Sequence, residues 1–413
     1  MKRKLACNVC AAALLTFASS AAYAQTVPNV VHNGANNSVT AGVQGGTIGG
    51  GGSTGAAFNL VTDDWGTVSG GGNNRAGDNT GTTSDKFYAT VGGGYSNIAS
   101  GSYSSVGGGI YNYATGVYGS IAGGRYNDAV GSSTTVGGGF DNYASGGNAT
   151  IGGGNYNDAT GSSSTVGGGV GNLASGNSST VGGGYYNDAI GSYATVPGGH
   201  SNTASGNYSF AAGRCASASM EGSFVWNGDS TCIVASANNQ FTAKAAGGVR
   251  FFSDTAAATG VSLAAGSGSW ASLSDRNHKA NFAAVDGEQV LAKLAALPIG
   301  TWNYTGQDRS IRHIGPTAQD FAAAFEFGED DRHINTVDAD GVALSALQGL
   351  YRVVQRKDQQ IAQLHAALQQ QQEQLIALKS AQAALSGAVA AKLANLEHAF
   401  AYQQAHYRAQ PSR

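Results

Sequence analysis

An apolar residue followed by small ones, mostly Gly, recurs at Val91, Val106, Ile121, Val136, Ile151, Val166, Val181 and Val196, fifteen residues apart each time. Asn falls six positions after each of them, from Asn97 to Asn202, then Ala from Ala99 to Ala204, and Gly closes each unit from Gly101 to Gly206. A fixed short period of this kind signals a solenoid, in which one unit cannot bury an apolar face alone. Each unit holds two brief β-capable pieces, such as Ser-Thr-Val and Asn-Asp-Ala, separated by Gly turns. Stacking is expected to yield continuous ladders of Val/Ile and of Ala, with the in-register Asn forming a side-chain amide ladder. Gly is expected at the tight corners, where positive φ and close backbone approach are needed. The apolar content per unit is thin for a lone chain, which favours packing against further copies.

Val68 begins an earlier copy with an insertion before Val91, and Phe210 ends the array one residue short. Residues 25–67 are Gly/Asn/Thr-rich and weakly patterned, a lead-in. Residues 214–273 lose the period; Ser223–Trp226, Asn239–Ala243 and Gly248–Phe252 read as strands of a small β connector. After residue 273 the chain turns Ala/Leu/Gln-rich and charged. Leu347, Leu350, Val354, Ile361, Leu364, Leu368, Leu375, Leu378, Leu385, Val389 and Leu396 follow spacings of about three and four, with Gln371 and Gln382 as polar layers. A coiled coil over 351–413 is expected, the alternative being one amphipathic helix packed on a domain.

Composition narrows the classes. Of 413 residues, 64 are Gly and 5 Pro, without a Gly-X-Y period, so collagen is excluded. The net charge of -3 comes with no basic stripe for nucleic acid. Lys2, Arg3 and Lys4, the apolar Ala11–Phe17 run and the small-x-small Ala22-Tyr23-Ala24 read as a signal peptide over 1–24, which implies a secreted or cell-surface protein. No later stretch is apolar and long enough for a transmembrane anchor. Cys215 and Cys232 remain in the exported chain, and an even pair there permits a disulfide; two free buried thiols are the alternative. Asp128, Asp158 and Asp188 recur at every second unit and are read as solvated turn residues, not metal ligands. No cofactor is indicated. Tyr95, Tyr111, Tyr126, Tyr156, Tyr185 and Tyr186 stud one face region, suited to packing at a subunit interface or to stacking on a host-surface glycan or protein.

The repeat over 68–213 resembles the head of trimeric autotransporter adhesins, a left-handed parallel β-roll with a slightly shorter repeat. Those adhesins end in a β-barrel anchor, whereas this chain ends in a polar helix. A second resemblance covers 274–350: Ser274-Asp275 with Lys279, Val290-Leu291-Leu294-Leu297-Pro298, Thr301-Trp302-Asn303-Tyr304, Arg312-His313-Ile314-Gly315-Pro316, Ala318-Gln319-Asp320-Phe321, and Val337-Asp338 with Gly341-Val342. This order is similar to the peptidase S74 domain, the C-terminal intramolecular chaperone of phage tailspikes and endosialidases. The resemblance implies a homotrimer whose chaperone winds the fibre ahead of it and then cuts itself off between Leu273 and Ser274. It implies Ser274 as nucleophile and Lys279 as general base; of the supporting residues, Asp275 is read as a cap of the following turn, the alternative being a hydrogen bond near the oxyanion, and His313 as packing and hydrogen-bonding within the chaperone fold.

The chemistry is coherent. A Ser hydroxyl needs a base to take its proton, and Lys serves only when desolvation lowers its pKa. Read from the residues alone, Ser274-Asp275 is better taken as an N-cap beside a solvated lysine, and the cleavage reading comes from the resemblance. The expected architecture is mainly β with an α C-terminus: a trimeric solenoid of 15-residue repeats, the β connector, an α+β chaperone and a coiled coil. An uncut structural fibre is the first alternative. A glycan-degrading enzyme is the second, disfavoured because the repeat offers no paired carboxylates.

Overall fold

A computed structural model describes residues 27–408 except 33–35, 54 and 56. The signal segment assigned to 1–24 lies outside the described residues. The chain divides into two compact units, one of Arg250 and the residues before it with Ser262–Ala271, the other of Phe251–Val261 with Ser272 onward.

The first unit is a parallel β-solenoid. One sheet runs from Val30–Val31 to Phe241–Lys244 and a second from Ser38–Val39 to Ile233–Val234. Most strands have two residues, the first side chain pointing out and the second in, as strand alternation requires. Val91 lies beside Val106, then Ile121 and Val136, in the first sheet. Ala99, Ala114, Ala129 and Ala144 stack likewise in the second. The Val/Ile ladder from Val91 to Val196 and the facing Ala ladder are at most 1% exposed. A large residue on one wall therefore meets a small one on the other, which fills a narrow core without voids.

Between the ladders runs the amide column. Asn112 Nδ2 donates to Asn97 Oδ1 at 3.1 Å and to the carbonyls of Gly108 and Gly124 at 2.9 Å, and Asn112 N donates to the same Asn97 Oδ1 at 3.0 Å. The column repeats up to Asn202, whose Oδ1 accepts from Ala216 N. Each amide thus satisfies one corner carbonyl, such as that of Gly108, that has no backbone donor, and adds a second bond to another, such as that of Gly124, which also accepts from Ile110 N. The close-packed corner explains the last Gly of each unit: a Cβ on Gly116 would collide with the carbonyl of Gly131.

Two features depart from the sequence reading. The sheets extend beyond the periodic segment at both ends, so the lead-in from Val30 and the connector up to Lys244 are coils of the same solenoid. Coil length varies there: Val30 pairs with Thr47, Thr47 with Thr67, Phe210 with Phe224 and Phe224 with Phe241. Nor does Gly occupy every positive-φ position. Tyr103, Tyr118, Tyr193 and Tyr208 adopt left-handed backbone with φ of 57–60°, as do Tyr111, Tyr126, Tyr156 and Tyr186 at 51–59°. Stacking offsets that strain: Tyr103 and Tyr118 lie parallel at 5.0 Å, Tyr193 and Tyr208 at 5.1 Å, and Tyr111 and Tyr126 at 5.3 Å. Tyr111, Tyr126, Tyr156 and Tyr186 each directly follow a residue of an outer column of single parallel bridges through Tyr95, Ile110, Arg125, Phe140, Asn155, Val170 and Tyr185.

In the second unit a 3₁₀ turn over Arg276–His278 precedes helix α1 (Gly287–Ala296), an antiparallel pair of Gly300–Trp302 with His313–Gly315, helix α2 (Ala318–Phe325) and helix α3 (Thr336–Arg408). Asp286 caps α1 and Thr317 caps α2. Val290, Leu297, Phe321, Phe325, Val342 and Ala346 form a small core. α1 crosses α3 at a point where both backbones need Gly: a Cβ on Gly349 would strike the Gly287 carbonyl. Beyond this crossing α3 is exposed, and its apolar stripe from Leu347 to Leu396 is 44–68% accessible. Among the described residues no helix is long and apolar enough to cross a membrane.

Candidate active site

Ser274 follows the short strand Ala271–Ser272, and Leu273 N donates to Gly260 O at 3.0 Å. The chain then turns sharply. Asp275 Oδ1 accepts from Asn277 N at 2.9 Å and caps the 3₁₀ turn, whose far end is closed by Lys279 N donating to Arg276 O at 3.2 Å. This tight turn sets the two side chains together, which a five-residue spacing on an α-helix would not do. The result is a direct contact: Lys279 Nζ donates to Ser274 Oγ at 2.6 Å. Both side chains and His278 are exposed in the single chain.

Asp275 is committed to the cap. His313 belongs to a different cluster: its Nε2 lies 2.9 Å from Gln307 Oε1, and its ring packs on Trp302 at 4.8 Å and Tyr304 at 5.6 Å. Arg312 fixes the same pair of strands by donating to Thr301 O and Oγ1 at 2.8 and 2.7 Å. The surroundings of His313 are thus those of a packing residue.

Ser274 and Lys279 therefore touch across a turn that Asp275 caps. Residues 274–327 match the family model of the chaperone of endosialidase, peptidase S74. No curated protein matches the chain. The match to the endosialidase chaperone begins at Ser274 itself and ends at Phe327, just beyond α2. It therefore spans the Ser–Lys turn, α1, the paired strands and α2, while α3 lies past it. The long β-solenoid precedes it in the chain.

Elsewhere in the chain, Cys215 and Cys232 form a disulfide with a Cα–Cα distance of 4.7 Å, closing the corner that carries Ile233–Val234. Asp128, Asp158 and Asp188 do not sit in turns; they begin strands of the second sheet. Tyr143 and Leu173 intervene between them, so they stand two rungs apart, roughly 10 Å. That spacing lets no two of them share a cation. Desolvation, followed by the charge of Asp141, pushes the Asp128 carboxyl up to about 6, and desolvation raises Asp158 and Asp188 as well.

Proposed function

We propose that the chain is an exported, trimeric, adhesin-like fibre whose chaperone domain directs assembly and then releases itself once, by cleavage at Leu273–Ser274. The carrying observation is the 2.6 Å contact of Lys279 Nζ with Ser274 Oγ next to that bond. Ser274 Oγ adds to the Leu273 carbonyl carbon and passes its proton to Lys279 Nζ. The Leu273–Ser274 C–N bond then breaks, and the Ser274 nitrogen takes that proton. Water hydrolyses the resulting ester, freeing the Leu273 carboxylate. Proximity supplies much of the rate, because nucleophile and carbonyl are covalent neighbours.

Lysine must first become a base, and this requires loss of water around it. The exposed dyad and the exposed stripe on α3 support one source for that loss, the packing of three chains. A lone helix 73 residues long with leucines in water is not a stable end state; pairing its stripe with those of two copies would bury it. Cleavage would then report that assembly is complete. The outward tyrosines of the solenoid are the surface offered to a host glycan or protein.

Purified wild-type chain on a denaturing gel, with intact-mass measurement, tests the reading. Two fragments meeting at Leu273–Ser274 are expected, and Ser274→Ala and Lys279→Ala should each stay full length. Wild type at the same full length as Ser274→Ala would establish the uncut structural fibre instead.

A further inference from the structure

The coil between Val68 and Val91 takes twenty-three residues instead of fifteen. The extra segment, residues 78–88, folds back on the preceding coil. Asp78 N donates to Asp63 Oδ2 at 3.0 Å, Asn79 N to Thr62 Oγ1 at 3.1 Å, Asp64 N to Thr83 O at 2.6 Å and Tyr88 N to Asp64 O at 3.1 Å. This brings three carboxylates together: one oxygen from each of Asp63, Asp78 and Asp85 lies within 4.8 Å of the others.

Asp63 makes the cluster more than an acidic patch. It is 1% exposed, at the base of the loop. Its Oδ2 accepts from Thr62 Oγ1 at 2.8 Å as well as from Asp78 N, while its Oδ1 is buried with no hydrogen-bond partner. Burial raises the Asp63 carboxyl; the hydrogen bonds from Thr62 and Asp78 oppose this, and the charges of Asp78 and Asp85 add to it. Among the described residues no Lys or Arg pairs with any of the three. A buried, ionised carboxylate oxygen without a donor, beside two further carboxylates, is strongly unfavourable, and a bound cation or a proton relieves it.

We infer that Asp63, Asp78 and Asp85 form a Ca²⁺ site that fastens the inserted loop to the solenoid. Oxygens around Ca²⁺ at 2.3–2.6 Å stand up to roughly 5 Å apart, which accommodates all three. The Thr-rich loop has hydroxyls and carbonyls to complete a flexible shell of about six to eight oxygens, a geometry that suits Ca²⁺ better than Mg²⁺.

The test uses the full chain stripped with EDTA, its thermal midpoint followed by circular dichroism under CaCl₂ or MgCl₂ titration at constant ionic strength. Tryptic cleavage at Lys86, on the loop, is followed in parallel. Ca²⁺ should raise the midpoint saturably, half-way at about 10⁻⁴–10⁻³ M as for extracellular sites, and should slow cleavage at Lys86. Asp78→Asn and Asp85→Asn, which alter a half-buried and an exposed group, should abolish both effects, whereas Asp141→Asn should retain them. A midpoint unmoved by Ca²⁺, an equal rise with Mg²⁺, or an equal Ca²⁺ response in Asp85→Asn would overturn the assignment.

Discussion

Replacing Asn142 by Ala breaks the amide column in mid-solenoid. In the intact chain its Nδ2 donates to Asn127 Oδ1 at 2.9 Å, Gly138 O at 2.9 Å and Gly154 O at 2.8 Å. Its Oδ1 accepts from the backbone N and the Nδ2 of Asn157, both at 3.1 Å. Several of these groups keep other partners after the change. Gly154 O still accepts from Phe140 N, Asn127 Oδ1 from Asn142 N, and Asn157 Nδ2 still reaches Gly153 O and Gly169 O. Two groups are left without a partner, the Asn157 backbone N–H and the Gly138 carbonyl. At about 1–3 kcal/mol for each orphaned buried group, the loss is about 2–6 kcal/mol. Because coils interact chiefly with their neighbours, the effect should stay local. Hydrogen exchange read by mass spectrometry on the Ser274→Ala background is the suitable assay. Peptides covering 138–158 should exchange at least roughly 30-fold faster than in the parent, at about 1.4 kcal/mol per decade. Asn155→Ala, at an exposed position one coil on, should change protection by less than about 0.5 kcal/mol. If Asn142→Ala and Asn155→Ala show equal protection, the column is not what holds the corners.

The carboxyl of Asp128 is raised to about 6 in the folded chain, so the fold favours its protonated form, and the stability this contributes is present at low pH and lost as pH rises from about 4 through about 6. Asp128→Asn should therefore raise the thermal midpoint at pH 7.5 and leave it unchanged at pH 4; discounted for partial exposure, the gain is about 1 kcal/mol. Gly349→Ala should push α1 off α3 and destabilise that helix pair by about 1–3 kcal/mol, read as a lower thermal midpoint by circular dichroism. Gly387→Ala, where an added methyl meets nothing, should instead stabilise α3 by about 0.5–1 kcal/mol.

Much of this protein is legible in its residue order because a solenoid places every fifteenth residue in contact with its equivalents. A period in sequence is then a ladder in space, and the Val/Ile, Ala and Asn columns follow without further information. The Ser274–Lys279 pair was legible only within a run of family-like motifs, since the spacing alone favoured an N-cap beside a solvated lysine; the structure shows a cap and a contact together, since Asp275 makes the turn that brings Lys279 to Ser274. Where coil length varies, before Val68 and after Phe210, the period vanishes although parallel pairing continues, because backbone hydrogen bonds do not depend on residue identity. Contacts between segments without a period were decided only by the tertiary structure. Examples are the loop that carries Asp78 and Asp85 back to Asp63, and the Gly287–Gly349 crossing of two helices far apart in the chain. Sequence patterning reports what repeats or what is near along the chain; a loop that folds back or a helix that crosses another is set by shape and free space, which no local pattern encodes.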